Sequence, residues 1–124
     1  MDGIGTQMHV SYYMNSTTQK SKEDHIVKML ELLKESGKFV KISELDMGIV
    51  GEDGNAIKTA NLTFEQQLLM ADFYKFIVEK YFEIIPVSQQ YGITHWSPTD
   101  SPEENSSWRK GEPIGLWDLN YNRK

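Results

Sequence analysis

The chain contains no cysteine. Disulfides and thiolate metal sites are therefore excluded, and the redox character of its compartment leaves no mark on it. It has no apolar run near the roughly 20 residues that a membrane-spanning helix requires, so no membrane partner is expected. A basic face is missing too. Lys and Arg number 13 against 18 Asp and Glu, for a net charge of −5, and the cations are scattered through helical segments. Neutralising phosphates takes clustered cations, so nucleic acid is not an expected partner. Residues 1–9, MDGIGTQMH, lack the basic and apolar regions of a signal peptide. There is no low-complexity tract, no internal repeat and no short metal-ligand motif, so neither metal nor cofactor is expected.

What remains is an ordinary globular composition, 39% hydrophobic and 25% charged, of a length that suits one modest domain. Aromatics make up 11% of the 124 residues. Trp96 and Trp108 lie among Gly, Pro, Ser and Asp rather than in a helical pattern. Aromatics so placed cap a core edge or form a platform for a flat ligand such as a sugar or a base.

Residues 2–10 read as a strand, followed by a polar loop, MNSTTQKS. Ser21 to Ser36 then reads as a helix, opened by Ser21 and Asp24 as a capping-box-like pair. Its apolar face is Ile26, Met29, Leu30 and Leu33, and Gly37 closes it. FVKISELDM, residues 39–47, is a second strand, and GIVGEDGNAIKTAN a loop rich in Gly, Asp and Asn. Thr63 to Gln66 is a full capping-box pattern that starts a helix running to about Phe82, with Leu69, Phe73, Phe76 and Ile77 as its buried stripe and Pro86 as its stop. YGITHW is a third strand, trailed by a long polar loop and an extended tail, IGLWDLNYNRK. Strand, helix, strand, helix, strand predicts parallel βαβ units.

The chemically distinctive residues follow the strands: His9 the first, Glu44 and Asp46 the second, Trp96 and Asp100 the third. Parallel α/β folds carry their sites at those C-terminal strand ends. Spacing alone leaves plainer readings open: a solvent-facing pair of acids, a core histidine, Trp side chains at a core edge. His25 reads as a solvent-facing helix residue. His95 precedes Trp96, so it is expected on the opposite face, packed against a helix. Trp117 reads as edge-of-core packing in an apolar tail strip. Glu103 and Glu104 read as a solvated loop, and Arg109 could reach a ligand's hydroxyls. Asn-x-Ser/Thr patterns at Asn15, Asn61 and Asn105 carry no weight, because such short patterns recur by chance.

At DGIGTQMH (2–9), KISELDM (41–47) and GITHWSPTDS through SSWRKGEPIGLWDLNYNRK (92–124) the chain resembles family 10 of the glycoside hydrolases, the endo-β-1,4-xylanases. The segments occur in the family's order and cover nearly the whole chain. The resemblance implies an α/β fold, the C-terminal portion of a TIM (β/α)8 barrel, about strands six to eight with two intervening helices. It implies one partial catalytic barrel over residues 1–124 and no second domain. Glu44 matches the catalytic nucleophile, His9 the histidine that hydrogen-bonds it, and Asp46 the acid that orients the histidine. Gln7, Trp96 and Trp108 match residues lining the sugar subsite. Ser97 stands where the family frequently has Gly, which implies a differently shaped loop.

The family's acid/base is a Glu in an NE element, and no such dipeptide occurs here. The expectation is half of a retaining endo-1,4-β-xylanase site acting on xylan or xylo-oligosaccharide, inactive alone, its partner the missing N-terminal part of the barrel. A location outside the cytoplasm, extracellular or periplasmic, goes with the resemblance. Three strands cannot close a barrel of eight, so self-association of the isolated chain is also expected. The alternative is a carbohydrate-binding or structural barrel fragment without activity of its own.

Overall fold

The computed structural model describes residues 1–104 and 107–124, which leaves the pattern at Asn105 outside the described residues. Three strands, β1 (Gly3–Tyr13), β2 (Phe39–Val50) and β3 (Gln90–His95), form one sheet in the order β1-β2-β3. Both pairs are parallel. The two connections carry helices α1 (Ser16–Glu35) and α2 (Phe64–Ile84).

Helix α1 begins earlier than its apolar periodicity indicates. The segment expected to be a polar loop supplies the first turns, because the Asn15 side chain accepts a hydrogen bond from the Thr18 N–H at 3.0 Å. Asn is among the best residues for that task. Ser21 and Asp24 do not cap anything; Asp24 instead pairs with Lys20 along the helix. The C-terminus closes as expected, with Gly37 at φ 68° in the left-handed conformation that terminates helices. Helix α2 starts at its capping box, with Thr63 and Gln66 each bonding the other's backbone N–H. Its buried stripe is Met70, Phe73, Ile77 and Tyr81, one residue round from the expected stripe at Leu69 and extended by a turn.

Both helices share one core. Ile26 and Leu30 of α1 and Met70, Phe73, Ile77 and Tyr81 of α2 cluster with Val40, Ile42, Leu45, Met47 and Ile49 of β2. A doubly wound sheet would divide its helices between two faces. Helices on one face of a sequentially ordered parallel sheet make an arc of a barrel wall, with the opposite face turned inward.

Register decides which side chains reach that inner face. Thr6 pairs with Ile42, but Gln7 pairs with Glu44, so Ser43 is an extra residue in β2. Val40 and Ile42 point to the helices before this bulge; Leu45, Met47 and Ile49 do so after it. A bulge shifts the two-residue alternation by one. Without it Glu44 would follow Ile42 into the helix layer. With it, Glu44, Asp46 and Gly48 share the inner face with Gln7, His9 and Ser11. The strands also run further than expected: β1 continues to Tyr13 and β2 through Gly48, Ile49 and Val50, which were expected to be loop. Glu44 and Asp46 therefore lie within a strand rather than at its end.

Beyond β3, residues 96–104 and 107–124 fold back over the strand ends. Trp117 bridges to Thr99 and Arg123, so the tail is paired rather than freely extended. Trp117 is 40% exposed, and its backbone makes the pairings that hold the tail. Buried Asp100 gathers this region by accepting from the Gly115 N–H at 3.0 Å and pairing with Lys124.

Candidate active site at the inner face of the strands

The six residues singled out from the sequence lie together. Gln7 Nε2 donates to Glu44 Oε1 at 2.9 Å. His9 Nε2 lies 3.2 Å from the other Glu44 oxygen, and His9 Nδ1 lies 3.0 Å from Asp46 Oδ2. This follows from the register, which sets Gln7 beside Glu44 and His9 beside Asp46 in adjacent strands. Glu44 keeps one quarter of its side chain exposed, whereas Asp46 is fully buried. Gln7, His9, Glu44, Trp96 and Trp108 line an open cleft of about 270 Å³.

Both indoles pack on the histidine. Trp108 meets the His9 ring edge-on at 4.5 Å between centroids, and Trp96 at 6.4 Å. Each remains 40% or more exposed, leaving apolar ring surface facing the cleft. Trp96 is placed by its own N–H, which donates to the Leu45 carbonyl at 2.8 Å. Ser97 follows at φ 65°, the left-handed conformation glycine adopts freely and other residues at a cost of about 1 kcal/mol. The position expected to reshape the loop thus takes a glycine-like backbone.

Asp46 differs from the simple expectation of an acid that orients a histidine. Trp108 Nε1 donates to its Oδ2 at 2.7 Å, and Arg109 Nε lies 3.1 Å from its Oδ1. Nδ1 of His9 is close to Asp46 but off the line of a good hydrogen bond. Arg109 was read as a loop cation that could reach a ligand's hydroxyls. It is instead mostly buried, donating to the Val10 carbonyl at 2.8 Å and to Ser11 Oγ at 3.2 Å, and pairing with Glu112 at 3.2 Å.

Gly48 makes room for this. A Cβ there would sit 2.3 Å from Glu112 Oε2 and 2.5 Å from Arg109 Nη1. Ser11, Gly48 and Glu112 were not singled out from the sequence, and Arg109 only as a loop cation that could reach a ligand. The signal available was parity: Ser11 follows His9, and Gly48 follows Asp46, by two residues on the same face.

His95 is on the helix side, as expected, with its Nε2 3.2 Å from the Tyr74 hydroxyl of α2. Burial lowers its affinity for a proton; Asp46 opposes that and Lys124 adds to it. Burial also holds the Tyr74 phenol well above its usual range, so the phenol stays protonated, and the imidazole tautomer decides which partner donates. His25 is exposed, as are Glu103 and Glu104. Among the described residues no group of three or more His, Cys, Asp or Glu is arranged to hold a metal ion, and no helix is long and apolar enough to cross a membrane.

The chain as a whole is similar to known proteins. The family profile described as Glycosyl hydrolase family 10 matches residues 1–124. The endo-beta-1,4-xylanase Xyn10C of Cellvibrio japonicus is 32% identical over 139 aligned residues, which cover 100% of this chain and 21% of that protein. A solved structure of mutant xylanase 10C from the same organism, in complex with xylopentaose, superposes with a TM-score of 0.73 at 30% identity, covering 100% of this chain and 25% of that one. An endo-1,4-beta-xylanase from Caldicellulosiruptor owensensis gives a TM-score of 0.74 at 23% identity, over 100% of this chain and 36% of that one, a likeness of fold. The chain thus spans about a fifth of the curated relative's length and belongs to glycosyl hydrolase family 10.

Proposed function

We propose that residues 1–124 form the part of a retaining endo-1,4-β-xylanase barrel that carries the nucleophile, corresponding to about strands six to eight. Glu44 attacks the anomeric carbon of a xylosyl unit and forms a glycosyl-enzyme, which water then hydrolyses. The observation that carries this reading is the setting of Glu44. It is the one carboxylate among the described residues that lines the cleft between Trp96 and Trp108, and Gln7 and His9 hold its two oxygens.

The Gln7 hydrogen bond on one oxygen and the His9 ring beside the other keep the carboxylate aimed, as a nucleophile must be. The indole surfaces suit the apolar faces of a sugar, and two of the similar structures are complexes with xylotriose and xylopentaose. A retaining mechanism needs a second carboxyl group about 5–5.5 Å from the first. Asp46 is buried against Trp108 and Arg109 and does not line the cleft, so it cannot protonate a leaving group there. The acid/base is assigned to a segment of the barrel outside these residues, which makes the chain inactive by itself. Action outside the cytoplasm, where xylan is found, goes with this reading.

The test uses the natural-length polypeptide that carries this chain, assayed on xylo-oligosaccharides with the product anomer read by NMR. The expected result is retention of configuration, and a fall in kcat for Glu44→Gln of at least about 10⁴-fold, on the order of one essential group's contribution. Inversion, or near-normal turnover in Glu44→Gln, contradicts the assignment. Binding of oligosaccharide without hydrolysis would identify a carbohydrate-binding fragment instead.

A further inference from the structure

We propose that Arg109 is a positioning residue of this site: it fixes Asp46 as the buried post on which Trp108 docks, and so sets the aromatic wall against His9 and Glu44. The inference rests on the proposed xylanase reading and concerns Arg109, to which that reading gives no role.

Asp46 is fully buried, and a buried carboxylate needs compensation at both oxygens. Adjacent residues of one loop supply it in part, since Oδ1 has the guanidinium charge beside it but no aligned hydrogen bond. Trp108 Nε1 donates to Oδ2 at 2.7 Å, and the Arg109 guanidinium lies 3.1 Å from Oδ1. Arg109 is tied in turn to β1 through the Val10 carbonyl and Ser11 Oγ, and to its own loop through Glu112. Both strands bearing the candidate site are thereby joined to the loop that bears Trp108. The backbone at Arg109 is in the left-handed region, φ 46°. For a residue other than glycine that conformation is strained, and it persists where surrounding contacts over-determine it. The side chain is only 14% exposed and does not line the cleft, so its contribution passes through Asp46 and Trp108 rather than through a ligand. A guanidinium is the group that can do this, since its planar fork reaches several acceptors at once and an ammonium cannot.

The experiment compares wild type, Arg109→Met and Arg109→Lys in the natural-length protein. Steady-state kinetics on xylotriose accompany ¹H–¹⁵N spectra of the indole N–H groups, with the Trp108 signal assigned by its loss in Trp108→Phe. Arg109→Met is expected to lower kcat/KM by about 10- to 100-fold, the scale of a small misplacement of catalytic groups. Its Trp108 indole proton should move toward the free-indole position and exchange faster. Arg109→Lys should recover only part of either property. Should Arg109→Met fail to fold, Arg109→Lys carries the same test at smaller amplitude. Added guanidinium ion at millimolar concentration should recover part of the kcat/KM lost in Arg109→Ala, which a general loss of stability would not permit. An unmoved Trp108 signal, or wild-type kinetics in all variants of an active enzyme, overturns the positioning role. An inactive wild type overturns the xylanase reading instead, and the indole spectra still decide whether Arg109 positions Trp108.

Discussion

The Tyr81 hydroxyl is fully buried and makes three hydrogen bonds. It donates to the Val40 carbonyl at 2.6 Å and accepts from the N–H groups of Tyr91 and Gly92 at 3.1 and 3.0 Å. These are the backbone groups set out of register where β3 carries an extra residue against β2, between Val40–Gln90 and Lys41–Gly92. Tyr81→Phe would strand them in an apolar layer. We expect a loss of about 2 kcal/mol, read from the urea midpoint at constant slope. A change under 0.5 kcal/mol would mean that water replaces the hydroxyl. Nothing in the sequence marked Tyr81, because a tyrosine at helical spacing reads simply as core. The polar residues of the site were easier to find: His9, Glu44 and Asp46 stand out because acids and a histidine are unusual in β-prone segments, whereas Gln7 was legible only through the family resemblance. Arg109 was legible only as a loop cation. Its attachment to Asp46 joins positions 63 apart in the chain, a relation that no local pattern carries.

Elements place those residues. The bulge at Ser43 turns Glu44 inward, and neither its existence nor its position is written in residue type. Alternation from Val40 through Ile42 alone would send Glu44 to the helices. The element order and the parallel pairing were legible, because two amphipathic helices between three β-prone runs leave few alternatives. Strand ends and the start of α1 were not. Gly48-Ile49-Val50 reads as the edge of a glycine-rich loop, and Asn15 lies in a polar stretch whose capping role depends on the chain path. The contact between β3 and α2 has a consequence in pH. His95 binds its proton less readily folded than unfolded. Its contribution to stability is therefore fully present above the unfolded value of about 6.5 and is lost as pH falls through that value toward the lower folded one. Stability by urea denaturation should fall between pH 7.5 and 5.5 more steeply in wild type than in His95→Gln. Equal slopes would show that His95 does not carry the effect.

At the scale of the molecule, the chain is an open arc. Among the described residues β1 pairs on one side only. Phe64, Leu68 and Leu116 are exposed at 69%, 50% and 43% beside a groove between α2 and the tail. Unpaired strand edges and contiguous apolar surface favour association. The 124-residue chain by itself should sediment as a concentration-dependent mixture of oligomers, and Phe64→Lys combined with Leu68→Glu should shift it toward monomer. A monodisperse monomer in the unmodified chain would mean that the arc closes its own surface. The need for a closed barrel was legible from the strand count, whereas which faces stay uncovered required the coordinates.

The central claim is that Glu44 is the nucleophile, and covalent trapping tests it most directly. A xylobioside with fluorine at C2 of the reacting sugar and dinitrophenolate as leaving group needs no acid to expel that group. Trapping therefore reports on the nucleophile independently of the acid/base. The natural-length protein would be inactivated, digested and mapped by mass spectrometry. The account predicts one added fluoroxylobiosyl unit, on the peptide containing Glu44 and on that side chain. An adduct on any other carboxylate, or turnover of the reagent with no adduct at all, would contradict it.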